Sequence, residues 1–119
     1  MELQVSVLHF IFKTMNRLQQ LEEFLREEPQ NPFNHYVVAL EYLKTDPVRA
    51  QQLFEHLLQH FPSYLPTYYP LAHLFIEQQQ IQKAEEVFAR GMQEADRAGD
   101  AKTSRELRAA YNDWLFERD

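Results

Sequence analysis

The chain has 119 residues, 45% of them hydrophobic and 25% charged, the composition of one soluble globular domain with a modest core. Its net charge of −6, with no basic run longer than one residue, excludes the clustered cations that grip nucleic acids or anionic membranes. No cysteine is present, which excludes disulfide frameworks, thiolate zinc sites and cysteine nucleophiles and is consistent with a cytoplasmic location.

The leader, residues 3–12 (LQVSVLHFIF), is apolar but shorter than the roughly 18 residues a membrane span needs. It lacks the basic region and small-residue cleavage site of a signal peptide. Leu3, Val7, Ile11, Met15 and Leu18 recur at helical spacing, while Val5, Val7 and Ile11 also suit a strand or an unpaired tail. Met15 offers an alternative start, which would make the leader an extension.

From Asn16 the signals are local and physical. Asn16 with Gln19 three residues later reads as a capping box, and Leu18, Leu21, Phe24 and Leu25 form one apolar stripe to about Glu28, ended by Pro29. Glu22, Glu23, Glu27 and Glu28 lie mostly off that stripe and read as a solvated face. Asn31-Pro32 reads as N-cap and first residue of a second helix, to about Lys44. Asp46-Pro47 opens a third in the same way, to about His60, with Phe61-Pro62 closing it. A fourth helix spans roughly Pro66 to Gln78. Pro70 inside it demands a regular start at Thr67 or later, with Thr67 as N-cap, or a kink near Pro70. A fifth runs from near Ile81 to Ala98, where Gly99 supplies a left-handed stop. The last starts at Asp100, or at Thr103 with Glu106 as its box partner, and carries Leu107, Ala110, Tyr111, Trp114 and Leu115 on one face. Connections of two to five residues make successive helices antiparallel neighbours.

Two of these helix pairs repeat one another. Ala50 and Phe54 recur as Ala84 and Phe88, each 34 residues on. The helix before each pair reads His35-x2-Val38-Ala39-x2-Tyr42 and then Tyr68-x2-Leu71-Ala72-x2-Phe75. Small residues at Ala39, Ala72, Ala50 and Ala84 let paired helices approach, and the large residues beside them fill the space. The pattern resembles the tetratricopeptide repeat family, in small bacterial-type form. It departs from that family at His35, where a large aromatic is usual, and at Asp96, where a proline is usual; Asp96 lets the fifth helix run on to Gly99.

The resemblance implies an all-α fold: a short right-handed α-α superhelix of helical hairpins with a C-terminal capping helix. Its parts are a half-repeat helix at 16–28, repeats at 32–64 and 65–98, and a cap at 100–117, one domain over 16–119 after a leader at 1–15. It also implies a non-enzymatic adaptor that holds an unidentified protein or peptide in its concave face. The lining implied by resemblance is Phe33, Tyr36, Leu40, Leu43 and Lys44, then Pro66, Tyr69, His73, Ile76 and Glu77. The Lys/Asn/Arg clamp of chaperone-binding members has no counterpart here. An aromatic groove suits an apolar or proline-containing segment. The same rings also suit packing on neighbouring helices, and burial of both Tyr36 and Tyr69 would defeat the groove reading. The alternative is a structural, self-associating subunit, such as a homodimer, because an uncovered repeat edge seeks a neighbour.

Catalytic chemistry finds no support. There is no glycine-rich phosphate loop, nucleophile elbow or cofactor motif. His56 and His60 lie i, i+4 but lack a third ligand, so an exposed pair is the expected arrangement and no metal is assigned. Trp114 is expected in the core, covering the flank of Phe88 and Met92, rather than at an interface.

Overall fold

The structure, a computed structural model, describes residues 7–11 and 14–118. The strand, tail and helix readings of the leader at residues 1–6, 12 and 13 lie outside the described residues. Residues 7–11 are helical and exposed. Six further α-helices follow among the described residues, and no strand. They are α1 (Arg17–Glu27), α2 (Pro32–Tyr42), α3 (Pro47–His60), α4 (Tyr68–Glu77), α5 (Ile81–Arg97) and α6 (Ala101–Arg118).

Short polar side chains set most helix starts by satisfying orphan backbone donors. Asn16 accepts from Gln19 N while the Gln19 side chain accepts from Asn16 N, the reciprocal box expected. Asn31 accepts from Phe33 N and Asp46 from Arg49 N, each with proline in the first helical position. For α6 the choice falls on Asp100, whose carboxylate accepts from Thr103 N at 3.0 Å and Thr103 Oγ1 at 2.8 Å.

The start of α4 differs from expectation in mechanism. A 3-10 turn at Leu65–Thr67 precedes it, and Pro70 is the third residue of the helix, where its missing N–H matters little. Thr67 sits before the helix, but with helical angles (φ −64°, ψ −35°) and no side-chain cap; its hydroxyl is buried without a partner. Prolines and the 3-10 turn, not a hydroxyl cap, fix this start.

Two helices end in the same left-handed device. Gly99 has φ 71°, with Asp100 N bonded to Ala95 O and Gly99 N to Asp96 O. At the end of α4 the identical pair of bonds forms around Gln79, a non-glycine residue at φ 59°. Gln79→Gly is expected to raise stability by about 0.5–1 kcal/mol, the strain of a Cβ in this region less the added freedom of the unfolded chain. A thermal midpoint that fails to rise would show that the left-handed backbone is unstrained there.

The helices pair within hairpins, α2 with α3 and α4 with α5, while α6 packs on α5 and α1 on α2. Ala39, Ala50, Ala72 and Ala84 are wholly buried, and Phe54 and Phe88 fill the core beside them. The junction between units repeats too. His35 Nε2 lies 2.7 Å from the Pro29 carbonyl, and Tyr68 OH donates to the Pro62 carbonyl at 2.6 Å. A carbonyl only accepts, so Nε2 of His35 carries the proton. At the third junction Ser104 Oγ donates to Asp96 Oδ1 at 2.7 Å, and Arg108 bonds the other carboxylate oxygen at 2.9 Å. Asp96 thus takes the part of the missing proline, through its side chain.

Candidate protein-binding groove

On α2 and α4 the buried pairs Val38–Ala39 and Leu71–Ala72 are flanked by side chains that are only partly buried or exposed. Some of these meet at a cavity of about 440 Å³ lined by Tyr36 and Leu40 of α2, by Leu43 just after it, and by Tyr69, His73 and Glu77 of α4. A second cavity, about 710 Å³, opens beyond Tyr69 and is walled by Tyr64, Leu65 and Pro66 on one side and by Asp100, Thr103 and Glu106 on the other. Tyr69 lines both, and the two cavities are together termed the trough along α2, α4 and α6.

The two tyrosines expected in the groove behave differently. Tyr36 is half-buried, packed on Phe54 and edge-on to Tyr64 at 5.7 Å, whereas Tyr69 is 55% exposed with its ring parallel to that of His73. Tyr36 therefore takes the packing alternative in large part and Tyr69 does not. Burial raises the pKa of Tyr36, and burial followed by the neighbouring Tyr36 raises that of Tyr64. Both hydroxyls stay protonated and can donate. His73 and Glu77 form an exposed pair at 3.3 Å. The hydrogen bond from Thr103 N, followed by that from its hydroxyl, holds the Asp100 carboxyl below its usual range, so it presents a full negative charge.

A family model for the tetratricopeptide repeat matches residues 41–107, more than half of the chain. The solution NMR structure of a tetratricopeptide repeat domain protein from Salinibacter ruber is 37% identical, with a TM-score of 0.65 over 69% of this chain and 84% of that one. A crystal structure of the tetratricopeptide repeat domain protein from Salinibacter ruber gives 37% identity and a TM-score of 0.63, covering 67% and 90%. The chain belongs to the tetratricopeptide repeat family. No curated protein matches it. The family is one of protein-interaction modules in general. Among the described residues, no helix of this tetratricopeptide repeat protein is long and apolar enough to cross a membrane.

Of the ten lining residues expected from the sequence, Tyr36, Leu40, Leu43, Tyr69, His73 and Glu77 come together at the first cavity, and Pro66 lines the second. Phe33 is exposed and lies outside both cavities, Lys44 is turned to Glu41 at 3.3 Å, and Ile76 packs half-buried against the core. The second cavity was missed because α6 reads as a cap. Its spacing carries the signal: Ser104-x2-Leu107-x3-Tyr111 matches Tyr68-x2-Leu71-x3-Phe75, with Ser104 and Leu107 buried. The cap expected at 100–117 thus also supplies a cavity wall, through Asp100, Thr103 and Glu106.

His35, His56 and His60 lie side by side, the first two stacked with centroids 4.8 Å apart and the last two tilted at 4.3 Å, and burial followed by its two neighbours lowers the pKa of His56. Among the described residues no group of three histidine or acidic side chains is placed to hold a metal ion. Trp114 is buried, 5.9 Å from Phe88, with the Arg118 guanidinium over its outer face.

Proposed function

We propose that the protein is a non-enzymatic adaptor that holds a segment of a partner protein in the trough along α2, α4 and α6. The observation that carries this reading is a pair of largely apolar cavities that share the exposed ring of Tyr69 as a lining residue. Aromatic rings supply contact area at small conformational cost, and the tyrosine and histidine tips add polar direction. Affinity capture from native lysate is expected to recover a partner with the wild type and to lose most of it with Tyr69→Ala plus His73→Ala. Both side chains are exposed, so the fold is expected to survive. Equal recovery by the two proteins would remove the groove from the account.

One observation favours self-association as a second reading. Val7, Leu8, Phe10 and Ile11 form an exposed helical apolar stretch ahead of α1. Under that reading light scattering finds a dimer that becomes a monomer when residues 1–14 are removed. A full-length monomer at high concentration rejects it.

A further inference from the structure

Given the groove reading above, the geometry points to a partner segment that carries a lysine or arginine beside an apolar residue. The cation sits at the α4–α6 cavity and the apolar side chain at the α2–α4 cavity. Apart from His73, every acidic or basic side chain lining the trough is a carboxylate: Glu77 in the first cavity, Asp100 and Glu106 in the second. No lysine or arginine lines either one, and Arg105 of α6, though exposed, lies outside both. Glu106 is held only loosely by Lys102, at 4.0 Å between two exposed side chains, so an incoming cation displaces that contact at little cost.

The wall facing these carboxylates is apolar and aromatic. Leu65 and Pro66 offer a bed for a methylene stem, and the rings of Tyr64 and Tyr69 attract a cation over their faces. Such a pocket suits an amphipathic cation: its stem lies on one wall while its head meets charge on the other. The net charge of −6 steers a basic segment inward and repels an acidic one. Next to the cation, across Tyr69, the walls of Tyr36, Leu40 and Leu43 present no ionised group and take an apolar side chain.

The test uses the full chain, immobilised, and two pools of acetylated, amidated peptides. Both are randomised over Leu, Tyr, Pro and Ala; one carries Lys and Arg at fixed positions, the other Asp and Glu. Retained peptides are read by mass spectrometry. The basic pool is expected to be retained about tenfold better than the acidic pool, with the preference shrinking at high salt. Glu106→Gln combined with Asp100→Asn is expected to remove most of that preference; Asn still accepts from the first helical turn, and an unchanged thermal midpoint verifies the fold. Equal retention of both pools, abolished by Tyr69→Ala, leaves the groove standing and overturns the cation preference. Basic retention insensitive both to these carboxylates and to Tyr69→Ala places the cations elsewhere on the acidic surface and overturns it too. If neither pool is retained, groove and cation preference fall together.

Discussion

Phe88→Ala is expected to destabilise the protein by about 3–5 kcal/mol, a large part of the roughly 5–15 kcal/mol that a domain of this size has. Phe88 is 2% exposed and stands between the hairpin core and α6, with Tyr111 at 5.4 Å and Trp114 at 5.9 Å. Truncation removes the transfer free energy of the ring and leaves a cavity that two other rings cannot close. Because each unit of such a stack is held chiefly by its neighbours, the damage is expected to release α6 first. Trp114 is the only tryptophan, so its fluorescence should change at lower denaturant than the helical circular dichroism. Phe116→Ala, at an 85% exposed position of the same helix, is expected to stay within about 0.5 kcal/mol of wild type. Similar midpoints for the two variants would contradict the packing described.

Gly91→Ala is the second large effect, and it runs against intrinsic preference. In a helix interior alanine is favoured over glycine by about 1 kcal/mol. Here a Cβ would stand 2.8 Å from both Cβ and Cγ of Tyr68 and 3.0 Å from Leu107 Cδ1. Those Tyr68 atoms lie next to its backbone and cannot swing aside, and its hydroxyl is tied to the Pro62 carbonyl. Overpacking against atoms that cannot yield falls at the upper end of about 1–3 kcal/mol, so a net loss of up to about 2 kcal/mol is expected after the gain in propensity. A thermal melt several degrees below wild type is the expected reading. A stabilised variant would mean that α4 and α5 move apart easily and that the hairpin is not closed at this contact.

Much of this architecture is legible one residue at a time. Asn16 with Gln19, Asn31-Pro32, Asp46-Pro47 and Gly99 act within four residues of themselves, so their roles follow from local chemistry. The alanine–phenylalanine pairs act across one hairpin, and their 34-residue spacing fixes which faces meet. Thr67 was legible only in position: the sequence places it before α4, but in the fold a 3-10 turn holds its backbone at helical angles and leaves its hydroxyl without a capping role.

The groove was half legible. Tyr36 and Tyr69 hold equivalent places in their repeats, so pattern alone treats them alike. Only the fold reveals that Tyr36 leans on Phe54 and Tyr64 while Tyr69 stands free between two cavities. The sequence reads 100–117 only as a cap, since a helix with polar residues on one side looks the same whether that side meets solvent or walls a cavity.

By itself, then, the sequence determined the helices, their order and the family's hairpin register, because caps, breakers and small–large pairs are short-range devices. The tertiary structure decided which side chains share a cavity and which carboxylates face which rings. Those juxtapositions join residues more than twenty positions apart, and they depend on how successive hairpins lean on one another, which no local pattern encodes.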